Sequence, residues 1–548
     1  MASLDARIDD TARRVFGWSA LRIGQHEAIA TVLSGRDTLA LMPTGYGKSA
    51  IYQVAGALVD GPTVIISPLI SLEFDQVTGL SEHPDAPPAV AVNSSQGERA
   101  NAAAWASVRA GQRGYLFLSP EQLTRPDVID RLRAARVQLV VVDEAHCVSS
   151  WGHDFRPDYL RVADAIEQLG EPGAGGQPTV VGLTATASPP VREEIIRRLR
   201  LRDPMVYTHG FDRPNLHLRV VRHETDVDKR RAVVDQLRSL PKPGLLYVAT
   251  RRDTTAYADA IAEHGIRSTA YSGGLTAAER RDAHALFHRG ETDVVVATSA
   301  FGMGIDKPDV RFVSHAAIPE SLDSYYQEAG RAGRDGEPAT VTLHYRAADT
   351  GLSRFFASAA PNETLVRGIF AALLHAGGWH DIPQLAATLA VSEEAVTRQL
   401  NLLEQAKVVS TGRLGAKADP AVTVDEAVTL ALDVAESGER IENSRGAQMR
   451  AYAETRRCRR QFLLGYFGED LPEPCGNCDT CEGGSAYEQE DHVTDAEFPV
   501  DTAVRHPAWG DGVVMSEEGD RITVFFETEG YRVLSLPDIR KHSLLVRR

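Results

Sequence analysis

A glycine-rich loop is the first feature of the sequence that could do chemistry. The stretch LALMPTGYGKSA follows an apolar run and precedes a helical pattern. In such a loop Gly45 and Gly47 let backbone amides approach phosphates. Lys48 then neutralises the outer phosphates, and Ser49 can ligate Mg²⁺. A methionine replaces the first glycine of the full GxxxxGK(S/T) pattern, so an ordinary glycine-rich turn stays open as the alternative.

An acidic pair strengthens the phosphate-loop interpretation. In LVVVDE four apolar residues, typical of a buried strand, run into Asp143 and Glu144. Asp143 could hold Mg²⁺ and Glu144 could orient the attacking water, which is what nucleotide hydrolysis needs beyond a phosphate loop. An isolated pair would more often be a solvated strand end. Here its order and spacing agree with the loop, so we expect ATP and Mg²⁺ as ligands.

Two arginines further along complete the candidate hydrolysis site. Arg331 and Arg334 stand in QEAGRAGRDG, within a second α/β region. They could reach across a cleft to the charge that develops on the transferred phosphoryl group, an effect of roughly 10³ to 10⁵ in rate where it occurs. Surface ion pairs are the alternative.

Large side chains follow the acidic pair in a segment too polar to be core. In SSWGHDFRPDY the chain offers Trp151, Phe155 and Arg156. Exposed rings stack on bases for ~1 to 3 kcal/mol each, largely without regard to sequence. The pattern therefore indicates single-stranded nucleic acid beside the hydrolysis site, although the rings could instead cap a hydrophobic core.

Four of the five cysteines are clustered, and their spacing indicates a metal site. CGNCDTC contains two tight CxxC steps, and a fourth cysteine lies upstream in an arginine-rich segment, 444–469, predicted to be one long helix. Four thiolates can close a tetrahedral, structural zinc site, and redox chemistry is the alternative. Zinc would then hold the arginines in a local basic surface. The predicted ligands are Cys458, Cys475, Cys478 and Cys481.

The elements that must position these residues are two successive α/β units. Short β-branched runs alternate with helical patterns from about residue 37 to 345, as parallel sheets require. The turn-rich stretch 203–215 should connect the units, and ligands belong at the carboxyl ends of the strands. The net charge of −16 argues against a generally basic nucleic-acid coat. No apolar run is long enough for a membrane helix, and the N-terminus lacks a signal-peptide pattern, so we expect a cytoplasmic protein without a membrane partner.

Beyond residue 350 the pattern becomes helical. Asp381 to Gln384 has the form of a capping box, and Ser392 can cap the next helix. Two such helices followed by a strand outline a winged helix, with a helical connector as the alternative. SAYEQEDHVTDAE is acidic and reads as a linker. The remaining residues suggest a small antiparallel barrel.

Taken together, these motifs resemble those of the RecQ family of superfamily-two DNA helicases. The matching segments stand in the family's order: LRIGQHEAI, LMPTGYGKS, SPLISLEFDQV, DEAHCVSSWGHDFRPDY, LTATA, AYSGGL, ATSAFGMGIDKPDVR and SYYQEAGRAGRDG. They cover about residues 15–345, and the cysteine segment extends the likeness over 445–482.

The resemblance implies further site residues. Arg22 and Gln25 would read adenine, and Thr44 would join the phosphate loop. Gly304 and Asp306 would line the nucleotide cleft. The resemblance also implies that the segment after DEAH contacts single-stranded DNA and couples it to hydrolysis. Residues implied to link the nucleotide and DNA sites are His146 and Gln327.

The resemblance also gives the expected architecture. Two tandem RecA-like domains should be followed by a winged-helix-like insert, a helical zinc module, an acidic linker and a Tudor-like or SH3-like barrel. The predicted bounds are 1–205, 206–350, 351–420, 421–484, 485–498 and 499–548.

The sequence departs from the family after the zinc module. The winged helix that usually follows the zinc module is replaced here by the linker and the barrel. The segment VRHPAWGDGVV resembles the Tudor-like C-terminal domain of UvrD-type helicases, where the domain can bind RNA polymerase. Trp509 and Tyr531, if exposed, could bind RNA polymerase or another protein, and a place in the barrel's own core is the alternative.

The predicted activity is ATP-dependent translocation on single-stranded DNA with unwinding of duplex or branched DNA. The family implies 3′ to 5′ polarity and a role in repair or recombination. Two alternatives stay open: a winged-helix DNA-binding regulator with an ATPase switch, and an RNA helicase, since DEAH also occurs there. For a bacterial protein we expect association with the nucleoid.

Overall fold

The structure of the protein is a computed structural model. It describes residues 3–68, 70–93, 96–108, 112–149, 156–170, 176–299, 301, 307–349, 361–412, 415–488, 497–500, 502–518 and 520–548.

Lobe 1, residues 3–208, is built on a seven-stranded parallel sheet with strand order β3-β4-β2-β5-β6-β1-β7. Its central strands are fully buried runs of Val, Ile and Leu, as expected for a sheet covered by helices on both faces. The strands are β1 Thr38–Leu41, β2 Pro62–Ile66, β3 Ala89–Val92, β4 Gly114–Leu118, β5 Leu139–Val142, β6 Thr179–Thr184 and β7 Met205–Thr208. The helices are α1 Leu4–Arg14, α2 Gln25–Leu33, α3 Ser49–Leu58, α4 Ile70–Ser81, α5 Glu98–Ser107, α6 Pro126–Ala135, α7 Val162–Leu169 and α8 Pro189–Arg198.

Lobe 2, residues 216–349, has the same α/β architecture. Its parallel sheet has six strands in the order β10-β11-β9-β12-β13-β8. Its strands are β8 Leu216–Arg222, β9 Gly244–Tyr247, β10 Ser268–Tyr271, β11 Val294–Ala297, β12 Phe312–His315 and β13 Ala339–Tyr345. Its helices are α9 Asp226–Ser239, α10 Arg251–Ala262, α11 Ala277–His288 and α12 Leu322–Ala329. The predicted α/β class and paired parallel sheets are confirmed.

The connection between the lobes differs in one respect from the expectation. The turn-rich stretch 203–215 is predicted to connect the two units, but β7 lies within it and pairs in parallel with β1. The predicted boundary at residue 205 therefore falls inside the first sheet. The strand was missed because a single Val-Tyr pair between turn residues carries almost no periodicity.

The insert after lobe 2 has the helix, turn, helix and strand order of the prediction. It comprises α13 Glu363–Ala376, α14 Ile382–Leu389, α15 Glu393–Gln405 and a hairpin of β14 Val409–Gly412 with β15 Gly415–Ala418. His380 adds a bridge to Ala416, so the hairpin has a third partner. The predicted capping box at Asp381 is absent: its side chain accepts no capping bond, and Pro383 near the start of the helix has no N–H to donate.

The arginine-rich segment is two helices rather than one. α16 Val424–Glu454 ends before Cys458, and α17 Arg459–Tyr466 starts directly after it; the short α18 Asp479–Glu482 follows. The prediction of a basic surface is also wrong for three of the arginines in this segment. Arg445, Arg459 and Arg460 are buried and form ion pairs with aspartates. Charge counted along the sequence could not reveal that these side chains point inward.

The C-terminal sheet domain, residues 497–548, is a five-stranded antiparallel sheet of order β19-β18-β17-β16-β20. It contains β16 Ala503–His506, β17 Gly510–Glu518, β18 Arg521–Phe526, β19 Gly530–Ser535, α19 Leu536–His542 and β20 Val546–Arg547. Trp509 stacks on His506 with ring centroids 4.0 Å apart and packs on Phe526, so it belongs to this domain's core. Within the part of the chain described, no helix combines the length and apolarity needed to cross a membrane.

Candidate functional site

The phosphate loop lies between β1 and α3, at the carboxyl edge of the first sheet. Gly45 and Gly47 both have φ of 82°, a left-handed conformation that glycine adopts without strain. Gln25 is buried and donates from Nε2 to the carbonyl oxygens of Tyr46 and Gly47, both at 2.9 Å. Arg22 donates to the Gly45 carbonyl oxygen at 2.7 Å. The two residues implied by resemblance therefore hold the loop in shape.

The cationic part of the loop stands at the start of a helix. Ser49 begins α3, so the backbone amides and the positive end of the helix dipole face the loop. The Lys48 ammonium donates to the Met42 carbonyl oxygen at 3.3 Å. Thr44 is half-buried in the same loop. Loop, lysine and helix start together form a cradle for a polyphosphate.

The acidic pair lies at the end of β5, next to this cradle. Burial and repulsion by Glu144 raise the pKa of Asp143 to about 6, against the lowering effect of nearby Lys48. Glu144 has a left-handed backbone with φ of 46°, which is uncommon for a residue with a side chain. Such strain is typical of functional sites. The sequence prediction that the acidic pair and the lysine meet is consistent with this geometry.

His146 links the acidic pair to the neighbouring strand. It is buried, its Nδ1 lies 2.9 Å from Thr184 Oγ1, and the same atom lies 3.3 Å from a Glu144 carboxylate oxygen. Sequence reasoning named His146 but not Thr184. LTATA contains Thr184, and its position at the end of β6 was the available signal.

Arg334 of lobe 2 faces the cradle from the opposite side. A Cβ atom built on Gly45 would lie 3.1 Å from the Arg334 side chain, so Arg334 lies directly over the phosphate loop. Arg331 is buried, and Gln327 is half-buried on α12 in the same segment. The two lobes thus bring cations of both domains to one point, which no local pattern in the sequence could establish.

Four predicted site residues lie outside the described residues, namely Trp151, Phe155, Gly304 and Asp306. The base of the ring-bearing segment is described. Arg156 donates from its side chain to the Pro68 carbonyl oxygen at 2.8 Å and from its backbone to the Cys147 carbonyl oxygen at 2.9 Å. Ser149 Oγ lies 2.5 Å from a Glu194 carboxylate oxygen on α8. The segment is therefore tied at both ends to lobe 1.

The four predicted zinc ligands come together although they are up to 23 positions apart in sequence. The sulfur atoms of Cys458, Cys475, Cys478 and Cys481 all lie within 4.8 Å of one another. Tetrahedral zinc with bonds of about 2.3 Å would separate its sulfur ligands by about 3.8 Å, which lies within this limit. The Cys475 amide donates to Cys458 Sγ at 3.3 Å, as it would to a thiolate. The donor set fits a closed, structural zinc site.

Family models match three parts of the chain. Residues 22–195 match the DEAD/DEAH box helicase model, 228–336 the helicase conserved C-terminal domain, and 423–482 the RecQ zinc-binding model.

Curated relatives extend the similarity. An ATP-dependent DNA helicase RecQ of Pasteurella multocida is 33% identical over 496 residues, covering 90% of this chain and 65% of that protein. The RecQ of Bacillus subtilis is 33% identical over 469 residues, and a probable helicase RecS of the same organism is 37% identical over 338. The chain spans just under two thirds of the length of these relatives.

Solved structures agree on the fold. Mss116p bound to ssRNA and AMP-PNP has a TM-score of 0.53 at 16% identity, covering 81% of this chain and 90% of that one. The DUF1998 helicase MrfA bound to DNA has a TM-score of 0.53 at 15% identity, covering 77% and 65%.

Proposed function

Because this chain belongs to the RecQ family of helicases, we propose that it is an ATP-dependent DNA helicase. It couples ATP hydrolysis to movement along single-stranded DNA and thereby opens duplex or branched DNA. The 3′ to 5′ direction and a role in repair or recombination rest on the family resemblance. A cytoplasmic, nucleoid-associated location is part of the same proposal.

The observation that carries the proposal is the meeting of two lobes at one phosphate loop. Arg334 of lobe 2 lies over Gly45 of lobe 1, so a bound triphosphate would be gripped from both sides. Hydrolysis then depends on the distance between the lobes, and cyclic closing and opening can be converted into movement along a strand.

Within this proposal each residue of the cradle has a role. Lys48 and the loop amides bind the phosphates, with Thr44, Arg22 and Gln25 shaping the nucleotide site. Glu144 orients the attacking water. His146 contacts Glu144 and Thr184 and so links the position of Glu144 to α8. The arginines that stabilise the developing charge are Arg331 and Arg334, with Gln327 beside them; Gly304 and Asp306 are proposed to line the same cleft.

Two metal ions fit the donor sets. Ser49 and Asp143 would hold Mg²⁺, which neutralises phosphate charge and aligns the leaving group when bound. The four cysteines would hold Zn²⁺, which stabilises a small fold without taking part in hydrolysis.

DNA would be sensed by the segment after the acidic pair. Trp151 and Phe155 are proposed to stack on bases and Arg156 to contact a phosphate. Arg156 already joins the residues that follow β2 and β5 through its bonds to Pro68 and Cys147, so a pull on this segment would reach Asp143 at the end of β5. A protein partner such as RNA polymerase could use the C-terminal sheet domain, but not through Tyr531, which is buried.

ATP hydrolysis with and without nucleic acid tests the proposal. We expect single-stranded DNA to stimulate hydrolysis more than RNA of the same length, and a labelled strand to be displaced from a 3′-tailed duplex. Lys48→Ala should abolish hydrolysis while leaving thermal unfolding unchanged. Equal hydrolysis with and without DNA would refute the motor, and binding without strand displacement would favour the regulator.

A further inference from the structure

The C-terminal sheet domain packs against both lobe 1 and α16. The turn that joins β18 to β19 inserts between α16 and α8. Arg440 of α16 donates to the Thr528 carbonyl oxygen at 3.0 Å and forms an ion pair with Glu529 at 3.2 Å. Arg197 of α8 lies 3.3 Å from Glu527. One turn of the domain thus contacts lobe 1 and the zinc-module helix together.

Tyr531 is the buried centre of this contact. Its side chain is 7% exposed, its amide donates to Ser444 Oγ at 3.0 Å, and its hydroxyl lies 2.9 Å from Ser188 Oγ. Its ring packs on Tyr466, with centroids 5.4 Å apart. A buried tyrosine hydroxyl requires a polar partner, and Ser188 supplies it. The expectation that this ring is exposed for a protein partner is therefore wrong.

The other side of the junction reaches lobe 2. The Tyr466 hydroxyl donates to Asp323 of α12 at 2.5 Å, and Arg445 of α16 lies 3.8 Å from the same carboxylate. All three side chains are buried. Breaking one partner of a buried pair is costly, so these contacts hold α16 and α17 against lobe 2. The Tyr531–Ser188 bond consequently joins a unit fixed to lobe 2 to lobe 1.

Ser188 occupies a sensitive place in lobe 1. It directly follows LTATA, whose Thr184 contacts His146, and it occupies the N-cap position of α8, where its side chain makes no capping bond to the helix. Further along α8, Glu194 holds Ser149 at the base of the ring-bearing segment. One helix therefore connects Tyr531 with both the nucleotide side and the proposed DNA side of lobe 1.

We propose that Tyr531 is a positioning residue for ATP hydrolysis: through Ser188 it stabilises the arrangement in which lobe 2 lies against the phosphate loop. The C-terminal sheet domain is then an internal brace of the motor. The bond to Ser188 can form only while the lobes are juxtaposed, so losing it lowers the population of the gripping state. The apparent ATP affinity falls by the same factor. This inference rests on the proposed ATPase function.

Two substitutions in the full chain test the brace. Tyr531→Phe removes only the hydroxyl, and a single buried hydrogen bond contributes enough for about a 2- to 10-fold change in an equilibrium. Gly530→Ala acts by a different route: its Cβ would lie 2.1 Å from Ser444 Oγ, and Gly530 has φ of +68°, so the turn must move off α16. Val533→Ala is the control, because this side chain is on the same strand and 54% exposed.

The measurements are KM for ATP and kcat at saturating single-stranded DNA, and amide hydrogen exchange of residues 191–198 without nucleotide. We expect Tyr531→Phe to raise KM about 2- to 10-fold with kcat nearly unchanged. Gly530→Ala should raise KM at least as much, and both should speed exchange of α8, whereas Val533→Ala changes neither.

Wild-type KM and wild-type exchange in both test variants would overturn the inference, as would an equal effect of Val533→Ala. If the unmodified enzyme hydrolyses no ATP, the proposed function fails. The exchange of α8 in the variants then still decides whether Tyr531 restrains lobe 1.

Discussion

Replacement of Arg334 by alanine is the sharpest test of how the two lobes cooperate. The side chain belongs to lobe 2, yet it lies over the phosphate loop of lobe 1, where a Cβ on Gly45 would meet it at 3.1 Å. Under the proposed function, its charge would be within reach of the terminal phosphate of a bound nucleotide. Alanine removes that charge without disturbing either sheet.

The magnitude follows from this proximity. A unit charge about 4 Å from a developing negative charge, at an effective dielectric constant of about 20, contributes roughly 4 kcal/mol. An energy of about 1.4 kcal/mol corresponds to a factor of ten, so Arg334→Ala should lower kcat about 10³-fold. Since the interaction strengthens as charge develops, nucleotide binding should weaken much less than kcat.

Single-turnover hydrolysis at saturating DNA, with separate titration of a fluorescent nucleotide, measures the two effects. Arg289→Ala is the matched control because Arg289 is an exposed lobe 2 arginine, 57% accessible and paired with Glu291. We expect the control to behave as wild type. A correctly folded Arg334→Ala enzyme whose kcat stays within tenfold of wild type would refute the interlobe argument.

Three further outcomes are expected. Phe155→Ala should bind ATP normally but lose stimulation of hydrolysis by single-stranded DNA; normal stimulation would remove this ring from the coupling. Pure protein should contain one zinc per chain by metal analysis. Chelation should lower the melting temperature of the zinc module, since structural zinc commonly contributes ~10 kcal/mol or more to the folding free energy of a small domain. Zinc-free protein of equal stability would contradict the site. Burial raises the pKa of Glu73 to about 7, against the lowering effect of its bond from Asn93. A carboxyl whose pKa is raised by folding destabilises the folded state as the pH rises from its unfolded pKa to about 7. Glu73→Gln removes this effect. In denaturant titrations it should stabilise the protein by about 1 to 2 kcal/mol at pH 8 and hardly at pH 5. An equal gain at both pH values would show that the ionised carboxylate is not the cause.

Several features could be predicted because their cause is local. Buried parallel strands require runs of β-branched residues, and a phosphate loop requires glycine where φ is positive, as at Gly45 and Gly47. The CxxC steps bring three of the four cysteines close by spacing alone. The α/β class, the order of the units and the metal cluster therefore follow from the sequence.

Local spacing failed where a residue's partner comes from a distant part of the chain. Arg445 looked like part of a basic surface but is buried with Asp323. Tyr531 looked like a docking ring but is buried against Ser188, 343 positions away. A periodic pattern shows which face of a helix or strand is apolar. It does not show which other part of the chain packs against that face.

By itself, then, the sequence determined two parallel-sheet units, a nucleotide cradle and a four-cysteine cluster, because backbone sterics and metal-ligand chemistry act over a few residues. Only the tertiary structure decided that Arg334 reaches Gly45 and that the C-terminal sheet domain packs against both lobe 1 and α16. Those contacts depend on how separately folded units pack together, and burying polar groups such as Tyr531 and Asp323 is favourable only once that packing supplies their partners.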